Sequence, residues 1–282
     1  MRASRAGWLC LLSILPASCV TAESISFYPV PKEVVLARLR QAASRNHDRE
    51  ATLKKLFGDA GCPAEWIAEQ PVKHLKIPNV MCTWPGSTGA RILVSAHTDH
   101  VETGDGTVDD WSGAAMLADL IESLRSVPRR HTFVFIGFSG EEQGLVGSAF
   151  YVKQLTPEQR STIAAEVNLE CLGLSHTEVW SGHADRQLAN LAAVIAAAAK
   201  LPVHGVNLEE VYQDDAVSFA ERRIPTIPFH SLTQETLAVL HSPHDTIHAI
   251  HPDYYYESYR LLAYYLAFID QRLDAKPDTA VR

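Results

Sequence analysis

The sequence predicts an α/β protein, a three-layer αβα sandwich around a mixed, mainly parallel central sheet. Three observations carry that expectation. Arg91–Ala96 and His131–Phe138 are short, continuous runs rich in β-branched and aromatic residues, the pattern of strands covered on both faces. Between them Ala114–Leu124 repeats apolar residues at helical spacing, so strand, helix and strand read as one right-handed crossover. The apolar runs also end in acids and histidines, at the edge where a parallel sheet opens its crevice.

The other elements follow in chain order. Residues 1–22 read as an export signal: Arg2 and Arg5 are followed by the apolar run Trp8–Leu15 and by Val20-Thr-Ala22, a small-residue cleavage site before Glu23. Cys19 raises a lipoprotein as the alternative, but Pro16 occupies the place where a lipoprotein signal carries an aliphatic residue. A helix is expected over Pro31–Phe57, then strands over Gln70–Ile77 and Asn79–Trp84, with Pro85-Gly86 as the turn before the Arg91 strand. Beyond the central unit come a helix at Ser148–Leu155, a strand at Ile163–Leu172 and an Ala-rich helix at Gln187–Lys200. Thr177–Trp180 and Pro225–Phe229 read as further strands, and Pro252–Leu273 as a closing helix whose aromatic residues pack rather than bind.

No repeat, low-complexity tract or linker divides residues 23–282, so a single catalytic-size domain is expected. The formal charge is −8 for all 282 residues and becomes −10 once the signal's two arginines are removed. An acidic chain without basic clusters argues against nucleic acid or an anionic membrane as partner, and a monomer is expected. Of five cysteines, Cys10 and Cys19 lie in the signal. Cys171 sits in an apolar run, and the sequence leaves open whether Cys62 and Cys82 are paired or reduced.

The chemistry lies in the strand-end residues. His97 and Asp99 are two apart, so in an extended segment they point the same way. Asp109-Asp110 and Glu141-Glu142 are adjacent acids beside glycines, Glu170 follows another apolar strand, and His241 opens the run HSPHDT. A single acidic pair after a strand is more often a helix cap or a solvated turn. Several such groups converging on one crevice with two histidines would repel one another strongly unless a cation lay between them. G-x-S-x-G, H-E-x-x-H and the phosphate-binding P-loop are all missing from the sequence.

Together SAHTDH, DDWSG, SGEEQGLVGS, NLECLG, DDAVSF with IPTIPF, and HSPHDT resemble the M28 family of co-catalytic zinc aminopeptidases, over about Pro31 to Asp270. The resemblance implies two zinc ions per chain, with Asp109 bridging, His97 and Glu170 completing one site, and Glu142 and His241 the other. It implies Glu141 as general base, Asp99 and Asp245 as orienting groups for the histidines, and Asp110 turned away from the metals after a cis peptide bond. Tyr212 falls where the resemblance places a wall of the substrate pocket, and the substrate is expected to be a peptide with a free N-terminus. Two departures concern residues near the site. Glu170 stands where the family usually has Asp, moving the carboxylate by roughly one bond length, about 1.5 Å, and Ala216 stands where His is common. The rival readings are a glutaminyl cyclase, a single-zinc acyltransferase on a similar scaffold, and a catalytically silent metal-binding protein.

Overall fold

The computed structural model describes residues 10–13, 24–207 and 213–274, the first four as backbone only. Most of the expected signal therefore lies outside the described residues, as does Tyr212. Cys10–Ser13 (β1) pairs antiparallel with Ser24–Phe27 (β2).

The helix expected over Pro31–Phe57 is two helices, Lys32–Leu39 (α1) and Asn46–Asp59 (α2). The break has local causes. Arg45 is extended at φ −117°, ψ 135°, and the Ala43 carbonyl accepts from Arg49 Nε at 2.8 Å instead of from a helical amide. The next strand lies earlier than expected, at Ile67–Gln70 (β3), pairing antiparallel with Asn79–Trp84 (β4). Pro71 has no amide to give a ladder, so the strand stops before it.

Arg91–His97 (β5), Ser112–Leu124 (α3) and Thr132–Phe138 (β6) form the expected crossover, with β5 and β6 parallel from Arg91 opposite Thr132 to His97 opposite Phe138. Val146–Gln154 (α4), Pro157–Ser161 (α5), Ile163–Leu169 (β7), Glu178–Trp180 (β8), Arg186–Ala199 (α6) and His204–Val206 (β9) follow. Ala216–Ala220 (α7), Thr226–His230 (β10) and Pro252–Arg272 (α8) complete the chain. The main sheet has eight strands in the order β3-β4-β6-β5-β7-β10-β8-β9. It is parallel through β6, β5, β7 and β10, with antiparallel neighbours on either side.

Alternation along β5 divides the two cores. Ile92, Val94 and Ala96 join the larger one with α3 and α8, whereas Leu93 joins Phe138, Tyr151, Val152 and Phe219 on the other face. Tyr255, Tyr259, Tyr264, Tyr265 and Phe268 of α8 are all buried, as packing requires. No helix among the described residues is long and apolar enough to cross a membrane.

Cys62 and Cys82 form a disulfide with Cα atoms 6.4 Å apart, joining the segment after α2 to β4, while Cys171 is free and buried. Closing a loop of about 20 residues restricts the unfolded chain by roughly 3 kcal/mol. Replacing both cysteines by alanine should therefore lower the melting temperature by roughly 6–12 °C in a thermal unfolding measurement.

The smaller core holds a buried carboxyl. Glu166 of β7 accepts from Ser95 Oγ at 2.5 Å and from Thr226 Oγ1, so one side chain ties β5, β7 and β10. Burial pushes it up to about 7 from 4.5, against the two hydrogen bonds, with Asp215 adding to the rise. Below about pH 4.5 the carboxyl is protonated folded and unfolded alike, so its contribution is then complete. Between about pH 4.5 and 7 the unfolded chain releases a proton that the folded chain keeps, and stability falls as pH rises. Glu166→Gln should lose this component. In urea unfolding, the stability difference between Glu166→Gln and wild type should move in the variant's favour from pH 4.5 to pH 8.

Candidate active site

His97 ends β5, Glu170 follows β7 directly, and Glu141 and Glu142 lie in the turn between β6 and α4. Parallel strands thus deliver side chains from three neighbouring loops to one edge. Asp109 and Asp110 come from the irregular turn Thr107–Trp111 that opens α3, and the peptide bond between them is cis, as the resemblance implies. Gly106 enters that turn at φ +55°, and a Cβ there would lie 2.3 Å from His100 Cβ.

The two acids have separate environments. Asp109 faces the imidazoles, with Oδ1 at 3.0 Å from His97 Nε2 and Oδ2 at 3.3 Å from His241 Nε2. Asp110 turns away, accepting from the amides of Gly113 at 2.9 Å, Cys171 at 3.0 Å and His97 at 3.3 Å. His97 Nε2 also lies 3.3 Å from Glu170 Oε1 and 3.9 Å from Glu141 Oε2, and His241 Nε2 lies 2.9 Å from Glu142 Oε2. Two donor groups result, His97–Asp109–Glu170 and Asp109–Glu142–His241, and within each the ligand atoms lie within 4.8 Å of one another.

Asp99 does more than sit beside His97. Its carboxylate is 3.8 Å from His97 Nδ1, whereas its main-chain oxygen is only 2.9 Å away. The carboxylate oxygens accept instead from the amides of Glu141 at 3.1 Å and Glu142 at 3.3 Å, fixing the turn that presents both glutamates. Asp245 likewise grips backbone: Oδ1 accepts from Val108 N–H at 2.7 Å, and its carbonyl from Asp105 N–H at 2.7 Å. Asp214 and Asp215 are buried near the same edge.

Charge is concentrated here. Burial alone would raise Asp109, but the hydrogen bonds from His241 and His97 hold it well below the usual carboxylate range. Burial pushes Glu141 up to about 10, opposed by His97 and reinforced by Asp215, Glu170 and Asp109. Asp109's hydrogen bond lifts His241 to about 9, helped by Glu142 and opposed by partial burial. A dication between the imidazoles would oppose the rises at Glu141 and His241 and deepen the lowering of Asp109.

The residues fit a metal. Zinc bonds of about 2.0–2.2 Å at tetrahedral angles put ligand atoms about 3.3–3.5 Å apart, close to the spacings at His97 and His241. Glu142 Oε1 is buried without a hydrogen-bond partner, as suits an atom made for a cation. Exposure differs between the groups: the His97 side chain is 0% exposed and that of His241 55%, so solvent meets the site from the His241 side.

An α/β sheet with overlapping imidazole and carboxylate donor groups at its strand ends defines a class of protein built around a metal centre. The chain belongs to peptidase family M28, whose sequence model matches residues 79–266, a narrower span than the Pro31–Asp270 over which the motifs suggest it. It is 27% identical over 224 residues to aminopeptidase YwaD of Bacillus subtilis, covering 77% of this chain and 47% of that protein. The chain thus spans about half the length of that relative. Among solved structures it superposes on the LapA aminopeptidase of Legionella pneumophila with a TM-score of 0.72 at 19% identity, covering 88% of this chain and 77% of that one. It superposes equally on a glutaminyl cyclase from an Acidobacteriales bacterium, at 0.72 and 16% identity, covering 92% and 100%. At such identities the likeness establishes the fold.

Asp99→Asn tests the turn. An amide has one acceptor oxygen where the carboxylate has two, so one of the Glu141 and Glu142 amides would face an NH2 group. The variant should be destabilised by roughly 1.5–3 kcal/mol, as read by denaturant unfolding.

Proposed function

We propose that this chain is an exported zinc aminopeptidase, removing the first residue from peptides with a free N-terminus. One observation carries the reading: Asp109 lies between His97 and His241 with one carboxylate oxygen toward each, and Glu141 stands beside the pair without belonging to either donor group. The family supports it, as do the names of YwaD and LapA, both aminopeptidases.

His97, Asp109 and Glu170 would hold one zinc ion, and Asp109, Glu142 and His241 a second. Bound there, zinc would supply Lewis acidity and lower the pKa of water at the site. Glu141 takes the proton of the water that adds to the peptide carbonyl carbon. As the carbon–nitrogen bond breaks, Glu141 passes that proton to the departing amine. Asp99 holds the backbone of Glu141 and Glu142 so that the two carboxylates keep different jobs. The substrate's α-ammonium group meets an acidic cluster, which favours action at the N-terminus. A signal at residues 1–22 fits an enzyme that works outside the cytoplasm.

The full-length superposition on a glutaminyl cyclase keeps a second reading in view. A single-zinc acyltransferase has no need of a carboxylate shared between two imidazoles, which favours the peptidase. Bound-zinc analysis with turnover of leucine anilide against a glutaminyl peptide separates them.

Glu141→Gln keeps size and hydrogen bonding but cannot accept a proton. Leucine-anilide turnover should fall by at least the ~10²–10⁴-fold of a lost general base, with bound zinc unchanged. Glu142→Gln should lose zinc together with activity, because an amide oxygen is a far poorer ligand. Zinc loss in the first variant and retention in the second would reverse the two roles and overturn the mechanism.

A further inference from the structure

Behind the Asp105–Asp109 loop lies a buried cation that the proposed chemistry does not use. Arg49 of α2 is 0% exposed. Its Nη1 donates to the Gly106 carbonyl at 3.0 Å, its Nη2 to the Asp105 carbonyl, and its Nε to the Ala43 carbonyl at 2.8 Å. The guanidinium also lies over the Trp111 ring, 5.7 Å from its centroid. Among the described residues, no carboxylate comes within ion-pair distance of it. Burying a full charge against main-chain carbonyls alone is expensive, and an apolar side chain of similar volume would hold a merely structural contact at lower cost.

What the charge faces is the site. The carboxylates acting on Arg49 are, in falling order, Asp245, Asp99, Asp109 and Asp110. Burial draws the guanidinium down to about 10, which leaves it positive at neutral pH. The loop is gripped from two sides: Asp245 takes the amides of Asp105 and Val108, and Arg49 takes the carbonyls of Asp105 and Gly106. The residue after Val108 is Asp109. Asn46 completes the clasp, its Nδ2 donating to the His100 carbonyl at 3.1 Å and its Oδ1 accepting from the His100 amide at 3.1 Å. The segment 43–49 lies before the part of the chain that the family model matches.

We propose that Arg49 is a positioning residue for the shared carboxylate: from behind the loop it sets where Asp109 stands between His97 and His241, and its charge steadies the acids around that position. The proposal rests on the metal-site reading above. Because Asp109 belongs to both donor groups, a shift of this loop weakens both together.

The test uses the full exported chain with Arg49→Met, which keeps bulk without charge, and Arg49→Lys, which keeps charge without the fork. Zinc affinity is measured by competition with a chromogenic chelator, alongside the melting temperature of the zinc-free protein and kcat and KM for leucine anilide. Arg49→Met should weaken zinc by about 10–100-fold, as loss of a partner behind a metal ligand does, and lower kcat more than it changes KM. Arg49→Lys should fall between that variant and wild type, since one ammonium cannot reach carbonyls that the guanidinium meets through three nitrogens. If both variants bind zinc within about twofold of wild type while the zinc-free melting temperature drops, Arg49 is only a loop anchor and the proposal is wrong. Should Arg49→Met not fold, Arg49→Lys decides by the same criterion. A wild-type chain that binds no zinc overturns the metal-site reading, and this inference with it.

Discussion

The Asp110 carboxylate is the contact on which the arrangement of the site depends. It is fully buried and receives main-chain amides from the end of β5, the first turn of α3 and the residue after Glu170. Three loops that would otherwise move independently are thereby tied to one pair of oxygen atoms. A buried carboxyl demands hydrogen-bond partners, and among the described residues those of Asp110 are the Ser112 hydroxyl and the amides of His97, Gly113 and Cys171, on the backbones that carry or adjoin His97, Asp109 and Glu170. Satisfying Asp110 and assembling the deep half of the site are the same event.

A second level of ties works in the same way. Asp99 collects the amides of Glu141 and Glu142, Asp245 those of Asp105 and Val108, and Arg49 the carbonyls on the other side of that loop. Apart from the Asp245 carbonyl that takes the Asp105 amide, each tie uses a charged side chain to hold backbone, whereas the groups that face the crevice are held indirectly. That division matters where acids are crowded. A side chain meant for a cation cannot also be spent on local hydrogen bonds, so its direction has to come from the peptide units beside it. Glu142 Oε1, buried and without a hydrogen-bond partner, shows the result.

Much of this was legible in the sequence because strand-end chemistry is local. The apolar runs before His97, Glu141 and Glu170 have strand lengths and strand composition, and position after a parallel strand determines where a side chain arrives. The core elements lie within a few residues of their expected bounds for the same reason. The N-terminal third was less legible. No punctuating glycine or proline marks the break between α1 and α2; the extended Arg45 and the bond from Arg49 to the Ala43 carbonyl make it, and Arg49 and Asn46 also reach tertiary partners more than 50 residues away. Periodicity reports a helical face but not a side chain that leaves it to meet a distant loop. Nothing in the sequence around Arg49 singles it out, and only its buried position reveals its use. Asp99 was expected to orient His97, yet its carboxylate holds the glutamate turn. Spacing puts Asp99 on the same side as His97 but does not say which neighbour it meets.

Glu166 shows how far the polar character of the site extends into the sheet. It lies four residues before Glu170, which directly follows the same strand, so period-two alternation places both on one face. Ser95 stands two residues before His97 for the same reason, and the hydrogen bond between Ser95 and Glu166 repeats, one layer lower, the approach of His97 to Glu170. Leu93, lower still on that face of β5, belongs to the apolar cluster with Phe138 and Phe219. The face therefore passes from apolar, to polar and hydrogen-bonded, to a charged donor cluster within a few residues of strand. In the middle layer burial raises the Glu166 carboxyl against the pull of its two hydroxyl donors, while the layer above combines imidazoles with carboxylates. At Asp109 the balance is the opposite one: hydrogen bonds from His241 and His97 outweigh burial and hold the carboxylate low, which two hydroxyls at Glu166 do not do.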